Sequence, residues 1–215
     1  CVSFEDTLVH VPHQKGVFTG TPIRPALYKG NRARALAFTG YTGTKPVLMV
    51  MGGSLGAQRL NELLREALPQ LNETYDVIHL CGRGKQDCNC VSCGYTQYEY
   101  IDRELPDLLA LADVVLSRAG ANTVFELLAL NKPSVLVPLS KASTRGDQLL
   151  NAAYFHKKGY AHMLDQDTAT PEMLVSAIDE VYHNRERYAA AMREDTRSDG
   201  TAAILEIIRN AAGNA

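Results

Sequence analysis

A strand, a glycine-rich loop and a helix follow one another in residues 46–71, which run PVLMVMGGSLGAQRLNELLREALPQL. The uninterrupted apolar run Pro46–Met51 is typical of a strand buried on both faces of a parallel sheet. After the glycines, apolar residues recur at helical spacing from about Ala57 to Leu71. This segment therefore predicts one strand–helix unit of an α/β fold.

The same alternation continues along the chain. The further predicted strands are Val77–Leu80, Tyr98–Ile101, Val114–Ser117, Ser134–Pro138 and Ala161–Leu164. The further predicted helices are Glu104–Ala112, Ala121–Leu130, Asp147–Lys158, Pro171–His183, Arg185–Arg193 and Thr201–Ala212. Strands that alternate with helices of such length indicate βαβ units, so the predicted fold class is α/β, a Rossmann-like, doubly wound parallel sheet.

The first 45 residues do not follow this alternation. Val2–Phe4 and Gly16–Thr19 are predicted to be short strands. We interpret residues 1–20 as the remnant of a preceding amino-terminal domain and residues 21–45 as an interdomain linker. The α/β domain is then expected to cover residues 46–215.

Composition excludes several classes of protein. The chain has 215 residues, 46% of them hydrophobic and 21% charged, with a formal net charge of −2. These values are ordinary for soluble globular proteins and argue against disorder. No apolar run approaches the roughly 18 residues of a membrane span. Because the charge balance is nearly neutral, no nucleic acid partner is expected.

The first strand ends in the loop Gly52–Ala57, where Gly53, Ser54 and Gly56 precede a helix. Glycines let the backbone approach a phosphate closely, and the amino terminus of a helix favours an anion. The alternative is a tight turn without a ligand. A P-loop is disfavoured because Lys-Ser/Thr does not follow the last glycine, and a dinucleotide site because no acidic residue ends the second strand.

Two further loops follow strands at the same predicted edge of the sheet. In the second loop, Gly120 precedes a helix, and Glu126 can accept hydrogen bonds from a ribose diol. Thr123 and Glu126 also match a helix capping box, which is the structural alternative. In the third loop, Asp147 and Gln148 can bind neighbouring sugar hydroxyls, although Asp147 can equally be a helix N-cap.

Taken together, these loops resemble a known family. Residues 52–58 (GGSLGAQ), 117–126 (SRAGANTVFE) and 145–152 (RGDQLLNA), with 19–24 (TGTPIR), are similar in order to the MurG family of glycosyltransferases. The resemblance implies one half of a GT-B fold that binds UDP-GlcNAc. It also implies transfer of GlcNAc to lipid I, which makes lipid II for peptidoglycan, without a cofactor.

The resemblance also implies roles for individual residues. By position, the donor site would consist of Arg24, Gly53, Ser54, Gly56, Ile101, Gly120, Glu126, Asp147 and Gln148. Ser54 and Arg24 would lie at the diphosphate, Ile101 at the uracil and Glu126 at the ribose. Asp147 stands where other members carry Gln, so its role at the GlcNAc hydroxyls is left open.

The parts of such an enzyme that contact the acceptor are expected outside this chain. The catalytic base, the lipid I site and membrane contact would belong to the amino-terminal domain of a full-length cytoplasmic protein that lies peripherally on the membrane. The fragment alone is then expected to be inactive. Two alternatives are another GT-B UDP-sugar transferase or epimerase, and a nucleotide-sugar-binding partner subunit without activity of its own.

Three other groups of residues have a structural and a functional interpretation. Cys81, Cys88, Cys90 and Cys93 are close in sequence and are interpreted mainly as reduced free thiols, with a zinc site as the minor alternative. The acids of Asp165-Gln166-Asp167 are interpreted as solvated rather than metal-binding. His79, near the end of a strand, is expected to be a hydrogen-bonded core residue, and no histidine is assigned a catalytic role.

Overall fold

The computed structural model describes residues 1–12, 15–52, 57–90, 92–140 and 146–213. In these ranges the strands are β1 (Val47–Met51), β2 (Asp76–Leu80), β3 (Tyr95–Tyr98), β4 (Val114–Ser117), β5 (Ser134–Leu136) and β6 (Ala161–Met163). The α-helices are α1 (Arg32–Thr39), α2 (Gln58–Thr74), α3 (Leu105–Leu111), α4 (Ala121–Ala129), α5 (Asp147–Lys157), α6 (Pro171–His183), α7 (Arg185–Arg193) and α8 (Thr201–Gly213). Short 3₁₀-helices cover Glu5–His10 and Pro25–Lys29.

All six of these strands are parallel and form one sheet in the order β3-β2-β1-β4-β5-β6. The central strand β1 pairs on one side with β2, where Met51 is opposite Leu80, and on the other with β4, where Met51 is opposite Ser117. The chain winds outward from β1 in both directions. This switch point opens a crevice at the carboxyl ends of β1 and β4. The predicted doubly wound fold class is confirmed.

Helices cover both faces of the sheet, which is why its strands carry apolar side chains on both sides. The first four residues of β1 and all of β4 are buried. Three pairs of helices contact each other: α2 with α6, α1 with α3, and α4 with α5. The predicted stripe of α2 faces this core, since Leu60, Leu63, Leu64 and Leu71 are at most 1% exposed. Each such buried leucine contributes about 2 kcal/mol.

The predicted strand at Tyr98–Ile101 is wrong. β3 lies earlier, at Tyr95–Tyr98, because its register is set by pairing with β2, where Val77 is opposite Tyr95 and Leu80 opposite Tyr98. Tyr95 is buried in that register and its hydroxyl lies 2.8 Å from Nδ1 of His79. Ile101 therefore belongs to the loop between β3 and α3.

The amino-terminal segment also differs from the prediction. Instead of two short strands, Val2 and Phe18 form one isolated parallel bridge. The segment predicted as a linker contains α1, whose start is capped by Asn31 and whose end is marked by Gly40 in the left-handed conformation. Ala35 of α1 is fully buried in the main core. The domain boundaries at residues 20 and 45 stay predictions.

Candidate functional site

A cavity of about 530 Å³ lies at the carboxyl edge of the sheet, at the switch point. The residues that line it from the strand ends are Met51, Gly52, Leu80, Ser117, Arg118 and Leu139. The predicted site residues that line it are Arg24, Ile101, Gly120, Glu126 and Gln148. Its volume falls within the roughly 300–1,000 Å³ of ordinary ligand pockets. Folding thus brings five of the predicted residues, spread over 125 positions from 24 to 148, to one cavity.

The two described residues that flank the glycine-rich segment after β1 both line this cavity. These residues are Gly52 at its start and Ala57 just before α2. Gly53, Ser54 and Gly56 lie outside the described residues. Their assignment to a phosphate site therefore stays a prediction.

Helix α4 points its amino terminus at the cavity. Gly120 is the N-cap, with φ −66° and ψ 139°, and no described side chain caps the helix. A Cβ added at Gly120 would meet only Oγ1 of Thr123, at 4.0 Å. The first backbone N–H groups of a helix have no partner within it, and they favour an anion.

The capping-box alternative for Thr123 and Glu126 is wrong. Helix α4 begins at Ala121, so Gly120 is its N-cap and Thr123 lies inside the first turn. Glu126 is then the sixth residue of the helix rather than part of its first turn. Its carboxylate faces the cavity instead of capping the backbone.

Arg24 and Glu126 form an ion pair across the cavity. Nε of Arg24 lies 3.0 Å from Oε1 of Glu126, and their side chains are 54% and 19% exposed. Arg24 immediately precedes the 3₁₀-helix Pro25–Lys29, which carries Leu27 into the core. Because Arg24 is half exposed, it can leave Glu126 at little cost when a ligand offers another anion.

The loop after β3 forms another wall of the cavity. Glu99, Tyr100 and Ile101 line it, and Tyr100 is 54% exposed. The guanidinium of Arg83 lies 5.8 Å from the Tyr100 ring centroid. Ile101 is half-buried, and its role at the uracil stays a prediction.

Only one member of the Asp147–Gln148 pair lines the cavity among the described residues. Oε1 of Gln148 accepts a hydrogen bond from the backbone N–H of Leu139 at 3.2 Å, which leaves its amide nitrogen to donate. Asp147 is exposed and is the first residue of α5. The N-cap is Gly146, with φ 87°, so the alternative that Asp147 is the N-cap is wrong.

The sequence patterns predict no role for Arg118, which lies within residues 117–126. An arginine directly after a buried apolar strand is nevertheless a recognisable signal. Arg118 is 6% exposed, and its guanidinium donates to the carbonyls of Val137 (2.8 Å) and Pro138 (3.3 Å) and to Oε1 of Gln166. Burial lowers its pKa to about 10.

His79 lies in a separate buried network. Nδ1 is 2.8 Å from the Tyr95 hydroxyl and Nε2 is 3.0 Å from Oδ1 of Asn61. The Nδ2–H of Asn61 donates to the carbonyl of Cys81, so its Oδ1 accepts a hydrogen bond from Nε2–H of His79, and the Tyr95 hydroxyl donates to Nδ1. Burial lowers the pKa of His79 to about 3, so the ring is neutral. The prediction of a hydrogen-bonded core histidine is confirmed.

The cysteines are free thiols. Cys81 is buried and donates to the carbonyl of Tyr98, whereas Cys88 and Cys93 are exposed. In the described part of the chain, no group of three or more His, Cys, Asp or Glu side chains is placed to hold a metal ion. Asp165 accepts a hydrogen bond from the backbone N–H of Asp167, as in a local turn.

Among the described residues, the cavity therefore combines the amino terminus of α4, two arginines, three carboxylates (Glu99, Asp102 and Glu126) and an amide. The first two features suit an anion, and the last two suit hydroxyl groups. Such a set fits a ligand that carries both phosphate and sugar.

None of the helices in the described ranges has the length and apolarity to cross a membrane.

Residues 47–207 match the glycosyltransferase family 28 C-terminal domain. The chain belongs to this family. The family 28 domain begins at the first residue of β1 and reaches into α8, so the match spans the whole sheet and the described residues that line the cavity, except Arg24.

Curated proteins similar to this family 28 domain are named as transferases. The UDP-N-acetylglucosamine–N-acetylmuramyl-(pentapeptide) pyrophosphoryl-undecaprenol N-acetylglucosamine transferase 2 of Bacillus thuringiensis subsp. konkukian is 47% identical over 97% of the chain. The transferase of that name from Clostridium perfringens is 46% identical over 99% of the chain. The chain spans 59% and 60% of the length of these two relatives.

Solved structures support the fold of the family 28 domain. MurG of Acinetobacter baumannii matches with a TM-score of 0.70 at 26% identity, over 93% of this chain and 58% of that one. The calicheamicin glycosyltransferase CalG4 matches with a TM-score of 0.65 over 95% of this chain and 50% of that one. At 18% identity, CalG4 shows the fold alone. The predicted resemblance to the MurG family and the Rossmann-like half of a GT-B fold are confirmed.

Proposed function

We propose that this chain is the donor-binding domain of an inverting glycosyltransferase that moves GlcNAc from UDP-GlcNAc to lipid I, forming lipid II. The observation that carries the proposal is the cavity at the switch point, which gathers Arg24, Ile101, Gly120, Glu126 and Gln148. The names of the curated relatives supply the donor and the acceptor.

The nucleotide occupies the cavity between β1 and the loop after β3. The uracil meets the backbone of Ile101, and the ribose hydroxyls donate to the carboxylate of Glu126. Glu126 is mostly buried, so its hydrogen bonds to the ribose form away from bulk water and discriminate a diol from a deoxyribose. Arg24, now paired with Glu126, turns to the diphosphate when the donor binds.

The diphosphate lies between two glycine-containing segments of the sequence. One holds Gly53, Ser54 and Gly56 after β1, and the other holds Gly120 at the amino terminus of α4. Backbone N–H groups of both segments and the helix dipoles bind the phosphate oxygens. Gln148 and Asp147 contact the GlcNAc hydroxyls at the amino terminus of α5, where the carboxylate of Asp147 accepts hydrogen bonds.

The same groups assist the reaction. When the bond between the sugar and UDP breaks, negative charge develops on the leaving phosphate. Preorganised N–H groups and positive charge stabilise this charge more in the transition state than in the bound donor. Removal of the proton from the acceptor hydroxyl requires a base. We assign this base, the lipid I site and the peripheral membrane contact to the part of the relatives that this chain does not span.

Calorimetry tests the proposal. The purified chain is titrated with UDP, UDP-GlcNAc, UDP-GalNAc, UDP-glucose and NAD. We expect UDP to bind, UDP-GlcNAc to bind more tightly than the other two UDP-sugars, and NAD not to bind. Preference for NAD would refute the assignment, and equal affinity for all UDP-sugars would refute the donor sugar while leaving the nucleotide site.

A matched pair of titrations tests the ribose contact. Glu126→Gln replaces one acceptor oxygen with a donor at constant size. We expect the affinity for UDP to fall about tenfold or more, as for other hydrogen bonds to charged groups. The affinity for 2′-deoxy-UDP should fall less. Equal losses for both nucleotides would contradict a ribose contact at Glu126.

A further inference from the structure

Arg118 follows β4 and forms part of the cavity wall at the switch point. Three acceptors hold its guanidinium: two backbone carbonyls after β5, at Val137 and Pro138, and the side-chain oxygen of Gln166. Gln166 belongs to the loop between β6 and α6. Arg118 thus connects three loops at the carboxyl edge of the sheet and is fixed in one orientation.

The charge of Arg118 has no counterion among the described residues. Within those ranges no Asp or Glu forms an ion pair with its guanidinium, and its Nε is buried without a hydrogen-bond partner. Arg24, the other described arginine that lines the cavity, is paired with Glu126. A buried charge without a counterion is costly to the fold, so its presence at a cavity indicates an anionic ligand.

The loop that contacts Arg118 contains two acidic residues, and neither forms an ion pair with Arg118. Asp165 and Asp167 are exposed, and the side chain of Asp165 is engaged with the backbone of Asp167. The neutral Gln166 between them reaches Arg118 instead. Gln166 contacts Arg118 but is not among the described residues that line the cavity.

We propose that Arg118 is the fixed positive charge of the diphosphate subsite, and that Gln166 keeps this charge uncompensated by holding the guanidinium with a neutral acceptor. The inference rests on the proposed function and deepens it. A glutamate at position 166 would preserve the hydrogen bond but neutralise the cation that faces the diphosphate. The pKa of Arg118, about 10, keeps the guanidinium protonated at neutral pH.

The test is Gln166→Glu, which changes charge at constant size. Its matched control is Gln70→Glu, because Gln70 is exposed near the end of α2, at the opposite edge of the sheet. Affinities for UDP and inorganic pyrophosphate are measured by calorimetry, and for uridine by NMR. We expect Gln166→Glu to weaken UDP and pyrophosphate about tenfold through the Coulomb interaction. Uridine binding should match that of wild type, and thermal stability should not fall, because the new carboxylate pairs with the buried charge of Arg118. Gln70→Glu should change none of these quantities.

Two results would overturn the inference. One is an unchanged affinity for UDP and pyrophosphate in Gln166→Glu. The other is an equal loss for uridine, which would mean that the substitution deforms the cavity. A third result separates the inference from the proposed function. If Gln166→Glu weakens pyrophosphate binding, but wild type binds UDP no more tightly than pyrophosphate and does not bind uridine, the inference stands and the proposed nucleotide site fails. A wild-type chain that binds neither would overturn both.

Discussion

Two regions of the sheet bury a basic side chain, and they treat it in opposite ways. On the β2 side, His79 is neutral and both ring nitrogens have partners, Tyr95 and Asn61. On the β4 side, Arg118 stays charged, has no counterion among the described residues and retains an unpartnered Nε. Both residues are at most 6% exposed.

The difference separates structure from function. A buried polar network whose hydrogen bonds are complete stabilises one packing of the core. A buried charge without a partner costs stability and is retained where a ligand completes it. We therefore expect changes around His79 to act on stability, and changes around Arg118 and α4 to act on ligand affinity.

The largest expected effect is that of breaking the complete network. Asn61→Leu keeps the approximate volume but leaves Nε2 of His79 and the Cys81 carbonyl without partners. Because each unsatisfied buried group costs about 1–3 kcal/mol, we expect the free energy of unfolding to fall by about 3 kcal/mol. Urea denaturation measures it, with Asn210→Leu on the exposed part of α8 as control. Weaker UDP binding at unchanged stability would reverse the assignment of the two regions.

A smaller effect is expected from acid. The pKa of His79 is about 3 in the folded state, below its ordinary value of 6.5, so the unfolded state binds a proton that the folded state does not. Stability is therefore full above pH 6.5 and is lost as the pH falls below it. Between pH 7 and pH 5 this histidine should lower the free energy of unfolding by about 2 kcal/mol.

Urea denaturation at both pH values checks this loss, with two variants as comparison. His79→Gln should abolish most of the difference between pH 7 and pH 5, whereas His183→Gln, on the surface at the end of α6, should retain it. A His79→Gln chain that loses as much stability as wild type would show that the network is not the acid-sensitive element.

The smallest effect is expected on the ligand side. Gly120→Ala places a Cβ where its nearest neighbour is Thr123 Oγ1 at 4.0 Å, at a φ that alanine adopts freely. We expect the free energy of unfolding to change by less than about 1 kcal/mol. The affinity for UDP should fall about tenfold, because the methyl group occupies the approach to the amino terminus of α4.

Calorimetry and urea denaturation of the same variant separate the two effects. Gly213→Ala, at the end of α8 with no atom within 4 Å of the added Cβ, is the control and should change neither quantity. Unchanged UDP affinity in Gly120→Ala would argue that the diphosphate does not lie against α4.

Periodicity predicted most of the fold. The leucine stripe of α2 and the apolar runs of β1 and β4 are local patterns, and the structure confirms them. β3 was displaced because its position depends on pairing with β2, which its own residues do not encode. Helix α1 was missed because its stripe is weak, although Asn31 and Gly40 mark its ends.

The sequence predicted those residues of the candidate site that lie in local sequence motifs. Glycine turns and helix starts are local, so Gly120, Glu126 and Gln148 could be named from the sequence and all line the cavity. The pairing of Arg24 with Glu126 joins residues 102 positions apart, and the burial of Arg118 depends on acceptors from two other loops. Such properties arise only when the sheet brings the loops together.

A crystal of the chain soaked with UDP would decide where the nucleotide binds. We expect the diphosphate at the amino terminus of α4, beside Gly120 and on the side of Arg118, with the uracil at Ile101. The ribose hydroxyls should lie within hydrogen-bond distance of Glu126, and Arg24 should have left that carboxylate. UDP bound away from this cavity, or a cavity that stays empty at saturating UDP, would contradict the assignment of the donor site.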